Sequence, residues 1–277
     1  MKADTFQLAR DIVQGKWLVS NPERLLPIAR AFLDKTPIEM EVKAAMVSTV
    51  TDSGRDEAES KRVAIVPLHG TMTKYDNCGS RGTSYIAGQI REMADDGNVI
   101  GIVLDIDSPG GSSSAIPPMV EAIAYARSLG KPVYVHADLC ASAAYWVASQ
   151  CDAIYLDNDL SEVGSIGAMA VFVDDTAPHP LTGERTLVIY SDESPDKNRA
   201  YRDALEGNFE PTKAELRSLV EKFRTAVTTG RPNIKSEAEG VLTGRMFGTS
   251  EAISLGMADA RKNLAETIDA VFALASV

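Results

Sequence analysis

From Arg62 onward, short β-branched runs alternate with stretches of helical spacing, and this alternation leaves the chain few architectures to choose from. Strands are expected at 63–68, 99–106, 133–136, 153–156, 169–173 and 187–189. Helices are expected at 84–93, 116–129, from 142, at 211–229 and at 264–274. Parallel strands need a crossover connection, so strand–helix alternation implies an α/β fold with a mainly parallel sheet flanked by helices. The 99–106 run is nearly all apolar, as a strand covered on both faces must be.

The first 50 residues have a different texture and are read as a helical extension. Phe6, Ala9, Ile12, Val13 and Trp17 repeat at helical spacing. Ser20, Asn21 and Pro22 then supply a cap and a first-turn proline for a second helix carrying Leu25, Leu26, Ile28, Ala29, Phe32 and Leu33. Residues 51–61 are polar and charged and read as a solvated linker, leaving 62–277 as the main domain. The small helical pair can gate a site, dock between subunits, or be a removable pro-segment.

Several functional classes are disfavoured. With 28 basic against 39 acidic side chains, the net charge is −11, and no phosphate-neutralising surplus exists for nucleic acid. No apolar run reaches the length of a membrane span, and the N-terminus lacks a signal-peptide core, so a cytoplasmic protein without a membrane anchor is expected. Cys78, Cys140 and Cys151 are too few and scattered for a disulfide framework or a zinc site. Neither a metal nor an organic cofactor is called for.

Four segments can carry chemistry. Asp105-Ile106-Asp107-Ser108-Pro109-Gly110-Gly111 follows the most hydrophobic strand, where paired glycines allow close approach to peptide N–H groups. Cys140-Ala141-Ser142-Ala143-Ala144-Tyr145-Trp146 puts one hydroxyl among small residues at a helix start, the place of a helix cap or of a nucleophile. Gly164-Ser165-Ile166-Gly167 is a further small-residue turn before a strand, and Lys197 lies in a polar stretch that reads alone as solvated surface. Asp105 and Asp107 are expected on alternate faces of their strand, and not as a carboxylate pair.

Taken in order, these segments resemble the signal-peptide-peptidase A family of serine peptidases, above all its phage-type members that process proheads. Gly244-Arg245-Met246-Phe247, Ala252 and Leu255-Gly256-Met257-Ala258-Asp259 are similar to a further segment of that family. The resemblance covers roughly residues 62–275 and implies a crotonase/Clp-protease-like fold. It implies Ser142 as nucleophile, Lys197 as general base, Gly111 and Ala143 as oxyanion-hole donors, and Ser165 as the residue orienting the lysine amine. Fifty-five residues separate Ser142 from Lys197. The lysine loop reads Ser194-Pro195-Asp196-Lys197 where the family favours a serine–glycine start, and Lys213 is the fallback base. The resemblance also implies a homo-oligomer, a protein substrate bound as an extended strand, and capsid or scaffold proteins as partners.

The chemistry is coherent. A serine hydroxyl attacks only when a base takes its proton. A lysine in water keeps its proton to a pH of about 10.4, and burial favours the neutral amine. Lowering that value by about three units costs about 4 kcal/mol, which fold and substrate must offset. His179, in Ala177-Pro178-His179-Pro180, is a weak rival base in a turn, and His69 and His136 are expected to satisfy local polar contacts. Cys140 is expected as a small buried hydrophobe. Two other functions stay open: a crotonase-like acyl-CoA enzyme, which needs an acidic base and a basic CoA site, and a non-catalytic capsid- or scaffold-binding protein.

Overall fold

The computed structural model describes residues 16–19, 47–51, 61–76, 80–171 and 188–274. Its centre is a sheet built from β2 (Ser48–Thr51), β3 (Arg62–His69), β4 (Val99–Ser108), β6 (Val133–Ala141), β8 (Glu162–Gly164) and β10 (Met246–Gly248). These lie in the order β10-β8-β6-β4-β3-β2. The β3–β4, β4–β6 and β6–β8 pairs are parallel, and antiparallel β2 and β10 close the two ends. Strand β7 (Ala153–Leu156) pairs with the first half of β6 and carries β11 (Ala260–Arg261). The sheet is thus mainly parallel and flanked by helices, as expected.

The side-chain period of two explains the layers. On one face, Ile102, Leu104 and Ile106 of β4 are buried with Ile86 and Ile90 of α1 (Thr83–Asp95) and Met119 and Ile123 of α2 (Ile116–Ser128). On the other face, Val63 and Val103 pack on Ile268 and Val271 of α7 (Leu264–Leu274). A side chain at Gly101 would meet a Val271 methyl at 2.5 Å, so this glycine lets α7 lie close to the sheet. The short α3 (Ala143–Ala148) follows β6, and the long α5 (Glu210–Gly230) packs on it through Phe223 and Trp146, whose rings stack at 4.8 Å. Between them in sequence comes α4 (Arg199–Leu205), and α6 (Thr249–Ser254) follows β10.

The amino-terminal reading needs correction. Trp17 was expected at the end of a helix, but it lies in strand β1 (Lys16–Val19). Residues 48–50, assigned to the helical extension, and Thr51, assigned to the linker, belong to β2, which pairs with β3. The physical reason is the same throughout: an open sheet edge offers main-chain partners that side-chain spacing does not reveal. The remaining helical positions before residue 47, the 52–60 stretch, Cys78 and His179 lie outside the described residues. The strand expected at 187–189 does not form over its described part: Val188 and Ile189 are 64% and 92% exposed and without regular structure.

A second, small sheet has the order β5-β1-β9, where β5 is Gly110–Ser112 and β9 is Met169–Ala170. Both of its pairings are antiparallel.

Candidate active site

Parallel strands end at the same edge of a sheet, and loops leaving neighbouring strands meet there. Ser108, at the end of β4, lies opposite Cys140 of β6. The glycine pair that follows β4 and the serine that follows β6 are therefore neighbours.

The glycine turn is held by its own serine. The Ser108 hydroxyl donates to the Gly70 carbonyl at 2.6 Å, and the Gly110 amide donates to Ser108 Oγ at 3.2 Å. On the far edge of β5, the Met72 amide donates to the Gly110 carbonyl at 2.9 Å and the Ser112 amide to the Met72 carbonyl at 2.8 Å. Polar groups alternate sides along a strand, so the N–H and C=O of Gly111 face the opposite edge, away from Met72.

Ser142 sits between β6 and α3 with φ 56° and ψ −115°. A non-glycine residue with positive φ is uncommon, and among the described residues only Ser142, Ser165 and Asn198 have it. The Ser142 side chain makes no capping hydrogen bond, so the ordinary reason for a serine at a helix start is missing. Its amide is tied to the Gly164 carbonyl at 2.8 Å. The amide of Ala143 is in the first turn of α3, where N–H groups have no intrahelical acceptor.

Ser165 is brought beside Ser142 by this same junction. Its amide donates to the Arg245 carbonyl at 2.9 Å, and β10, which begins one residue later, pairs with β8. The segment around Gly244–Phe247 thus builds the wall that carries Ser165. The segment around Leu255–Asp259 braces α3 from behind. The Tyr145 hydroxyl donates to the Met257 carbonyl at 2.9 Å, while the Arg231 guanidinium grips both Asp259 oxygens at 2.8 Å. The sequence marked these segments by resemblance; Tyr145 and Arg231 were not foreseen as their anchors.

Lys197 lies in the turn that precedes α4 and is exposed; among the described residues no hydrogen bond joins its amine to Ser142. The fallback Lys213 is exposed on α5 and engaged with Glu210 at 3.2 Å. Cys140 is fully buried, and burial pushes its thiol well above the ordinary range, as befits a packing residue.

A polar row crosses the α7-bearing face of the sheet. Asp105 Oδ2 meets His69 Nε2 at 2.9 Å, Asp105 Oδ1 meets His136 Nδ1 at 2.7 Å, and His136 Nε2 meets Asp157 at 3.0 Å. Burial disfavours charge on Asp105, yet the two imidazoles outweigh it and hold its carboxyl well below the usual range. Burial likewise opposes protonation of His136, but Asp105 and Asp157 raise it. Both histidines satisfy local polar contacts, as expected. Asp105 and Asp107, two residues apart, share a face and do not alternate: Asp107 lies opposite His69, which Asp105 bonds.

Residues 125–277 match the profile described as Peptidase family S49, more than half of the chain. The chain belongs to peptidase family S49. It is 26% identical over 204 residues to Protease 4 of Haemophilus influenzae, covering 72% of this chain and 32% of that protein. It is 26% identical over 245 residues to capsid assembly protease C of Escherichia phage lambda, covering 82% of this chain and 54% of that one. The chain therefore spans a third to a half of the length of these relatives. A solved complex of a membrane-bound stomatin-specific protease with a substrate peptide overlaps at a TM-score of 0.37 and 16% identity, over 73% of this chain and 76% of that chain. Among the described residues no helix is long and apolar enough to cross a membrane.

Proposed function

We propose that this S49 member is a serine endopeptidase with Ser142 as nucleophile. One observation carries the reading. Ser142 holds a strained backbone of the kind that costs about 1–3 kcal/mol, makes no cap with its side chain, and stands beside two turns rich in backbone donors. A turn between strand and helix of this type carries the attacking oxygen at the end of the sheet, and in this structure Ser142 is covered there, at 1% exposure.

In this reading the Gly111 and Ala143 amides stabilise the tetrahedral oxyanion. Lys197 takes the serine proton and later activates water, and Ser165 orients its amine. Its exposure here calls for a covering partner, and a second copy of the chain is the natural one: docking strips water from the amine and favours its neutral form. The substrate lies as an extended strand in the lane between β5 and β9, held by main-chain bonds. The likeness to the phage lambda protein supports capsid or scaffold proteins as substrates, acting inside the infected cell.

Fluorophosphonate treatment followed by peptide mapping tests the reading. Label is expected on Ser142, and Ser142→Ala is expected to lose both label and peptide cleavage. Full cleavage by that variant would remove the reading. Lys197→Ala, folded but without turnover, tests the base.

A further inference from the structure

The lane between β5 and β9 is already filled by the chain itself. Strand β1 pairs with β5 through Trp17–Ser112, Leu18–Gly111 and Val19–Gly110, and with β9 through Lys16–Ala170 and Trp17–Met169. Both borders of the lane extend from strands that flank Ser142: β5 follows β4, and β9 follows β8, while β4 and β8 each pair with β6. Strand β1 therefore crosses the end of β6, where Ser142 stands. With β1 in place, Ser142 is 1% exposed, and Gly110, Gly111 and Ser112 are all buried.

The register is specific. The edge of Gly111 that is free of Met72 faces Leu18, so the N–H offered to an oxyanion is aimed at the Leu18 main chain. Main-chain pairing of this kind is indifferent to side chains, which suits a lane that takes extended peptides. A segment tethered to the same chain also enjoys an effective concentration that free peptides do not reach.

We propose that β1 is the enzyme's own first substrate, presented in the peptide lane so that Ser142 cuts the Leu18–Val19 bond of its own chain. The proposal rests on the peptidase reading above. Ser142 Oγ adds to the Leu18 carbonyl carbon and gives its proton to the base. The Leu18–Val19 C–N bond breaks, and the Val19 nitrogen leaves as an amine carrying that proton. Water then adds to the Leu18–Ser142 ester, the C–O bond to Oγ breaks, Oγ regains a proton, and the fragment ending at Leu18 departs as a carboxylate. The lane is then open to other chains.

The test is intact-mass and N-terminal analysis of the purified full-length protein over time, with hydrolysis of an added peptide followed in parallel. Wild type is expected to yield a chain beginning at Val19, and peptide hydrolysis is expected to lag until that chain accumulates. Ser142→Ala is expected to stay whole, including an isotope-labelled Ser142→Ala chain mixed with wild type. Leu18→Pro lacks the N–H that would pair with Gly111, so it is expected to hydrolyse peptide without a lag and to give no Val19 terminus. Ser142-dependent peptide hydrolysis without any Val19 terminus would overturn this proposal and leave the peptidase reading standing. Cutting of the labelled Ser142→Ala chain, or a lag that persists in Leu18→Pro, would overturn it too. Absence of both hydrolysis and Ser142 labelling would bring down the two together.

Discussion

Gly111 lies so close to Met72 that a Cβ on residue 111 would stand 2.0 Å from the Met72 carbonyl oxygen. The neighbour is backbone, fixed on both sides by the bonds of Met72 to Gly110 and Ser112. Nothing flexible can yield, so even one methyl group must push β5 out of place. Gly111→Ala is expected to lower stability by about 2 kcal/mol and to abolish peptide hydrolysis together. Thermal melting and a peptide assay on the same preparation check this. A variant of wild-type stability and activity would show that β5 has room to move.

The chain's legible and illegible parts divide along a physical line. Side-chain patterns that report burial were readable: 153–156 and 264–274 are a strand and a helix with the expected limits, and the glycine pair and Ser142 fall at adjacent strand ends. Elements held by main-chain partners were not. Strand β5 is two glycines and a serine, with no apolar alternation to read, and β1 exists because two open edges, far away in sequence, accept it. Val188 and Ile189 mislead in the other direction, being β-branched or apolar without a sheet to join. For Lys197 the sequence supplied only a resemblance, and in the described chain the residue is exposed in the turn before α4.

Arg231 joins three parts of the molecule. Its guanidinium bonds both oxygens of Asp259 and reaches the Gly256 carbonyl, while Asp259 also accepts the Ile154 amide at 2.7 Å. The Arg231 side chain is only 10% exposed, whereas Asp259 is 38% exposed, so its loss removes a covered guanidinium with its hydrogen bonds and leaves Asp259 partly in water. Arg231→Ala is expected to cost about 2 kcal/mol through the lost charge-assisted hydrogen bonds, a fall of roughly 5 °C in Tm. Because Met257, two residues from Asp259, holds the Tyr145 hydroxyl behind Ser142, peptide hydrolysis should fall as well. An unchanged melting curve would mean that water replaces the guanidinium without loss.

The histidine–aspartate row gives stability a pH dependence. His69 and His136 have raised proton affinity in the folded chain, chiefly through Asp105 for His69 and, against burial, through Asp105 and Asp157 for His136. A raised histidine stabilises fully below its unfolded value of 6.5 and loses that contribution as pH rises through the folded value. Asp105 is lowered, so its contribution is present above 3.8 and disappears only in strong acid. Stability from this row is therefore greatest between those two ranges and declines as pH climbs past 6.5. Urea unfolding at a series of pH values should show that decline in wild type and a flatter profile in His136→Gln. Equal slopes would mean that the imidazoles stay neutral throughout.

Ser142 has a conformation that suits glycine and that an L side chain resists, with φ 56° and ψ −115°. Replacing the hydroxyl alone leaves this strain in place, whereas removing Cβ relieves it. Ser142→Ala should thus match wild type in stability to within about 0.5 kcal/mol. Ser142→Gly should be more stable than Ser142→Ala by about 1 kcal/mol, even after the larger unfolded-state entropy of glycine is counted. Both variants lose the hydroxyl, so neither should take up a fluorophosphonate. The comparison isolates backbone strain from chemistry, because the two side chains differ only by one methyl group. If Ser142→Gly unfolds at lower denaturant than Ser142→Ala, the turn is not strained, and the conformational argument for a nucleophile at this position fails.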